Sequence, residues 1–135
     1  MSPIGQRSLV LILARDLATS LATPVFIVDR SGDLVFYNEA AGRVLGKPFV
    51  EGEPMPAERW ATAFGQSDDD GTPLGPEAIP LWTAFTEQRP AHRHLVIRGA
   101  DGVRRRLSVT AFPLYARADE FVGALAVFWE TPGDA

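Results

Sequence analysis

The stretch from Val28 to Gly46, VDRSGDLVFYNEAAGRVLG, constrains this chain more than any other. Val25 to Val28 is an apolar run. Arg30-Ser31-Gly32-Asp33 supplies turn residues, and Leu34 to Tyr37 is a second apolar run. Short apolar runs around such a turn read as a β-hairpin. Asn38 follows at once, where an N-cap belongs, and Glu39 suits the positive end of a helix dipole. Gly46 fits the residue just past a helix C-terminus, and Pro48 fits a stop. The segment is therefore a hairpin that runs directly into a short helix.

Upstream, Arg7 to Leu21 reads as a helix that Pro24 ends. Leu9, Val10, Leu13, Ala14, Leu17 and Leu21 form one apolar stripe at helical spacing. Ile4, Leu11, Ala18 and Ala22 cluster on another side. A helix lying on one core needs only the first stripe, so the second is either incidental or buried in a partner.

Downstream, Pro56 to Phe64 reads as a helix, Gln66 to Pro76 as a loop rich in Asp, Gly and Pro, and Glu77 to Gln88 as another helix. Three strands follow, over His94 to Arg98, Val103 to Tyr115 and Phe121 to Glu130. The last strand is apolar on both parities, with Val122, Ala124, Ala126 and Phe128 alternating with Phe121, Leu125, Val127 and Trp129. Such a strand is covered on both faces. The short helices can cover one face; the N-terminal helix or a second subunit would cover the other. The fold class is α+β, a five-stranded antiparallel sheet with short helices on one face and the N-terminal helix on the other.

Composition narrows the chemistry. The 135 residues suffice for one domain with one core. The net charge of −4 makes nucleic acid an unsuitable partner. Absence of cysteine excludes disulfides, thiolate metal sites and thiol nucleophiles. No apolar run reaches transmembrane length and no cleavage site of the secretory kind stands out, so a cytoplasmic location without membrane contact is expected.

With its elements in this order the chain resembles a PAS domain of the bacterial type. The resemblance rests on Val25-Phe26-Ile27-Val28-Asp29, Gly32 and Asn38-Glu39-Ala40-Ala41. Further on it rests on Asp70-Gly71-Thr72-Pro73-Leu74, Asp101-Gly102, Pro113 and Val122-Gly123-Ala124. It implies an N-terminal dimerisation helix over residues 1–23, the domain proper over 24–131 and a disordered tail over 132–135. It also implies a sensory or interaction module with a small cavity between sheet and helices. A homodimer would use Ile4, Leu11, Ala18 and Ala22 of the helix with Leu125, Val127 and Trp129 of the last strand.

Strand alternation, placed by that resemblance, puts Phe26, Val28, Ile97 and Leu107 at the cavity, with Val109, Ala111, Ala126 and Phe128 beside them. Trp60, Phe64, Trp82 and Phe85 would close it from the helices. Flavin is disfavoured. The cysteine of flavin light sensors is missing, and Ile97, Leu107 and Phe128 stand where relatives present amides to the ring's polar edge. Haem is disfavoured too, because the helix Glu77 to Gln88 holds no histidine and only His92 lies near. A small apolar ligand such as a fatty acid or aromatic metabolite suits the cavity better.

Other clusters read as structural. His92 and His94 lack a third metal ligand, and Asp68-Asp69-Asp70-Gly71 lacks the ligand spacing of a calcium loop. Arg104-Arg105-Arg106 reads as arginines over a solvated sheet edge, with an anionic ligand or acidic partner patch as the alternative. The family's Asp-x-Thr coupling motif after the last strand is represented only by Glu130-Thr131. No catalytic set appears: Asp29 and Asn38 read as turn and cap, and Ser108 and Thr110 point away if Leu107 and Val109 point inward. The expected function is non-enzymatic sensing through dimerisation or a separate signalling effector protein. A purely structural dimerisation domain with a filled core is the alternative, and a small cone-pocket enzyme a more remote one.

Overall fold

The computed structural model describes residues 4–53 and 55–131, with side chains from Leu9 onward. Helix α1 runs Ile4–Thr19, followed by strands β1 (Val25–Asp29) and β2 (Leu34–Tyr37). Helices α2 (Glu39–Leu45), α3 (Ala57–Ala63) and α4 (Pro80–Thr86) follow, a 3₁₀ turn at Pro76–Ala78 preceding α4. Strands β3 (Ala91–Arg98), β4 (Arg104–Arg117) and β5 (Glu120–Glu130) complete the chain. They form one antiparallel five-stranded sheet in the order β2-β1-β5-β4-β3. The first and last strands in sequence thus pair at its middle. The expected tail 132–135 lies outside the described residues.

Most boundaries fall within a few residues of the sequence reading, and two of the differences have a clear physical cause. The helix expected over Glu77 to Gln88 is split, because Pro80 has no N–H to donate and forces Ile79 into an extended conformation (φ −93°, ψ 124°). Strand β3 begins at Ala91 rather than His94, because Ala91 to Arg93 complete the ladder opposite Val109 to Ala111.

Alternation along the strands divides the core in two. Phe26, Val28, Leu95, Ile97, Leu107, Val109, Ala126 and Phe128 face the short helices, where Trp60, Phe64, Leu81 and Ala84 meet them. The alternate residues Val25, Ile27 and Leu125 face the other way and pack with Ala18, Leu11 and Ala14 of α1. β1 and β5 thereby remove apolar surface from water on both faces, the burial that chiefly drives folding.

Asn38 joins these parts. Its Oδ1 accepts from the N–H of Ala41 at 3.0 Å, capping α2, and from the N–H of Val25 at 3.1 Å. Its Nδ2 donates to the carbonyls of Ala18 and Thr23, both at 2.9 Å. One buried amide therefore fixes where α1 ends, where β1 begins and where α2 starts.

Candidate functional site

Between the inner sheet face and the helices lies a cavity of about 70 Å³. Eight of the residues expected there line it: Phe26, Trp60, Phe64, Ile97, Leu107, Val109, Ala126 and Phe128. The other four do not. Val28 and Ala111 are fully buried core residues, and Trp82 and Phe85 pack against that core from partly buried positions. The cause is local filling: Phe85 reaches beneath the hairpin turn, so close that a Cβ on Gly32 would stand 2.6 Å from Phe85 Cζ.

Five wall residues were not expected: Leu45, Gln66, Ile79, Leu81 and Leu95. Leu95 shares the parity of Ile97, and a longer β3 would have included it. No local pattern marks Ile79 or Gln66, which reach the cavity from irregular segments. Among the described wall side chains, Gln66 and Trp60 alone carry polar atoms. The Trp60 indole N–H is already spent, donating to Gly32 O at 2.7 Å.

The wall is held by aromatic packing. Phe26 stacks on Tyr37 with centroids 5.6 Å apart and meets Trp60 edge-on at 6.2 Å. Neither a flavin nor a haem fits the residues present. The volume is far below the roughly 300–1,000 Å³ of pockets for drug-sized ligands, and no wall side chain is an imidazole.

The back of the sheet corrects the expected assignment of the helix stripes. Ala18 is buried, and with Leu11 it packs on Leu125 and Val127 within the same chain. These four expected dimer contacts are therefore used internally. Leu13 and Leu17, expected on the core side, are 58% and 62% exposed, and Leu9 and Ile12 lie beside them on the open face. Ala22 is exposed, and Trp129 is exposed on the sheet beyond α1; the Ile4 side chain lies outside the described residues. The physical reason is anchorage. Asn38 holds the Ala18 carbonyl, while Arg15 pairs with Glu51 at 2.6 Å and stands 4.5 Å above the Phe36 ring. These ties set the rotation of a helix that is apolar on two sides.

The remaining polar clusters bond internally. Arg106 makes a bidentate pair with Asp69, both contacts at 3.0 Å, and Arg104 donates to the Asp69 carbonyl. Arg105 pairs with Asp101 at 3.1 Å, and that guanidinium lowers the Asp101 pKa. His92 Nε2 lies 2.9 Å from Ser108 Oγ. Among the described residues no cluster of three or more His, Cys, Asp or Glu is placed to hold a metal, and no helix is long and apolar enough to cross a membrane.

Comparison with known proteins places this geometry. A family model described as the PAS fold matches residues 18–131. The PAS domain of a Colwellia psychrerythraea protein superimposes with a TM-score of 0.63 at 15% identity, over 90% of this chain and 96% of that one. The Rhodobacter sphaeroides LOV protein gives 0.68 at 16% identity, over 91% and 68% of the two chains. The PAS domain of the fruit-fly ELK potassium channel gives 0.70 at 8% identity, over 89% and 95%. At such identities the likeness is one of fold. Among curated protein sequences none matches this chain.

Proposed function

This chain belongs to the PAS-fold family, and from that premise we propose that it is a non-enzymatic sensory module that reports a small ligand through its N-terminal helix. The observation that carries the reading is a pair of neighbouring rungs in one ladder. Phe26 pairs with Ala126, and both line the cavity; Ile27 pairs with Leu125, and both lie under α1. A ligand that shifts the β1–β5 ladder on one face acts on α1 through the other. A sheet two side chains thick has no slack to absorb the shift, because packed interiors transmit displacement.

The output surface is the open face of α1. Leu9, Ile12, Leu13 and Leu17 lie together there, the kind of apolar patch that marks an interaction site. The partner is a second copy of this chain, or failing that a separate effector protein. A cytoplasmic location accords with this reading. The wall chemistry argues against catalysis, since among the described residues no carboxylate, imidazole or hydroxyl of an aliphatic side chain lines the cavity.

Native mass spectrometry at increasing concentration tests this directly. The expected result is a concentration-dependent dimer whose population changes when a cavity ligand binds. A monomer at every concentration would remove the homodimer. A dimer indifferent to every cavity ligand would favour a structural dimerisation domain instead.

A further inference from the structure

The three consecutive arginines of β4 do not share one fate. Arg105 and Arg106 pair with the carboxylates of Asp101 and Asp69, whereas Arg104 donates to a neutral acceptor, the Asp69 carbonyl, at 3.2 Å. Its direct cross-strand partner on β3 is Arg98. Arg98 likewise donates to a carbonyl, that of Gly102, at 2.8 Å. Among the described residues neither of these two exposed guanidiniums pairs with a carboxylate.

The ladder brings the two charges together. The Gly99 N–H donates to the Val103 carbonyl at 3.1 Å, and the Arg98 N–H turns outward to the Phe64 carbonyl at 2.7 Å. Arg98 and Arg104 thus form a non-hydrogen-bonded rung, the kind whose side chains stand closest. Like charges directly opposite each other are unfavourable there. Each is steadied by one carbonyl while most of its N–H donors stay unused. Both border a groove of about 250 Å³ whose far wall is the loop of Gly65, Ser67 and Gly71. That wall is low, since a Cβ at Gly71 would meet nothing within 4 Å. The loop's carboxylates are engaged: Asp69 by Arg106, Asp68 by the N–H groups of Asp70 and Thr72, and Asp70 by Thr72. The groove shares Gln66 and Ile97 with the apolar cavity but adds the two guanidiniums.

We infer that Arg98 and Arg104 form a second ligand site, which takes a small molecule carrying one dianionic phosphate group. Two facing cations match a dianion, whereas a carboxylate would leave one charge uncancelled. Phosphate oxygens can accept from both guanidinium forks at once, in charge-assisted hydrogen bonds. The groove has room for that group and a short stem, since a water molecule takes about 30 Å³ of liquid. A polyanion such as nucleic acid is a poor match, because the chain carries a net charge of −4 and the adjoining loop holds Asp68 and Asp70.

Inorganic phosphate, glycerol phosphate and acetate are the probes, titrated into the whole chain at constant ionic strength and about pH 8, where phosphate is a dianion. ¹H–¹⁵N NMR at the Arg98 and Arg104 Nε–H groups and the Gly65 and Gly71 amides reads the groove. Both phosphates are expected to give saturable shifts there and to bind at least about ten-fold more tightly than acetate. Arg98→Gln and Arg104→Gln should each weaken phosphate about ten-fold or more, the ratio for one lost hydrogen bond to a charged group. Arg30→Gln, an equal charge change at an exposed position on the β1–β2 turn, should leave the affinity unchanged. Should one groove variant fail to fold, the other and the wild-type ratios decide. Absent or unsaturable shifts at the groove would overturn the site, and so would an equal loss in Arg30→Gln, which would mean attraction to overall charge. Acetate as tight as phosphate would overturn the match to a dianion. Inorganic phosphate binding without glycerol phosphate would overturn the assignment to a phosphate-bearing molecule in favour of the free ion.

Discussion

The Asn38 side-chain amide donates to the Ala18 carbonyl at 2.9 Å, tying the last turns of α1 to the hairpin and helix that follow. The same side chain caps α2 and receives the first N–H of β1. Three elements meet at one buried residue.

Asn38→Ala therefore removes the cap and leaves buried backbone groups unpaired. The expected loss is about 2–4 kcal/mol, read from urea unfolding. Asn38→Asp keeps the cap but turns the donor into an acceptor facing the Ala18 and Thr23 carbonyls, so it should recover less than half of that loss. A loss for Asn38→Ala of under about 0.5 kcal/mol, the range of ordinary surface changes, would show that α1 is held by other means.

Gly32 and Gly71 share a left-handed backbone, with φ of +89° and +91°, but differ in surroundings. A Cβ at Gly32 would stand 2.6 Å from Phe85 Cζ and 2.9 Å from Ala57 Cβ, whereas one at Gly71 meets nothing within 4 Å. Gly71→Ala should cost about 1–2 kcal/mol for backbone strain alone. Gly32→Ala should cost about 1–3 kcal/mol more, for overpacking. It should also perturb Trp60 fluorescence, since Trp60 donates to Gly32 O. Equal losses at the two positions would refute the close approach of Phe85.

The rotation of α1 is tested by charge placement. Leu13→Glu and Leu17→Glu, on the open face, should leave monomer stability within about 0.5 kcal/mol. They should also weaken self-association at least about ten-fold, measured by sedimentation equilibrium. Leu11→Glu, on the sheet side beside Gly123, should cost about 2 kcal/mol or more. The opposite pattern would mean that the helix presents its other stripe to the sheet.

Asp70 provides a local pH prediction. The hydrogen bond of a proton shared with the neighbouring Asp68 carboxyl first, then the Thr72 hydroxyl and N–H, bring its pKa from 3.8 down to about 2. A carboxylate with a lowered folded-state pKa contributes stability that is whole above its unfolded pKa. That contribution is lost as pH falls through the folded value, here between pH 3.8 and about 2. A ¹³C NMR titration should place the Asp70 midpoint near 2, and Thr72→Val should raise it. A wild-type midpoint at 3.8 or above would dissolve the loop's hydrogen-bond network as described.

The sequence by itself determined the elements and their chemistry of burial. Local signals sufficed for the β1–β2 hairpin, the Asn38 cap and the Gly46 stop, because turn residues, caps and apolar periodicity act over a few positions. Apolar character on both parities of β5 likewise announced a strand covered on two faces. Tertiary structure alone decided the rest, since each decision joins residues far apart in the chain. Two apolar stripes on α1 made its rotation illegible until Asn38 and the Arg15–Glu51 pair set it. Strand alternation placed six wall residues and the helix aromatics two more, yet whether a buried side chain fills space or borders it depends on neighbours such as Phe85 beneath Gly32. Gln66 is an ordinary loop residue by every local measure. Only the fold brings it to the cavity wall, with its Nε2 donating to the Trp60 carbonyl and its own carbonyl accepting from Leu74.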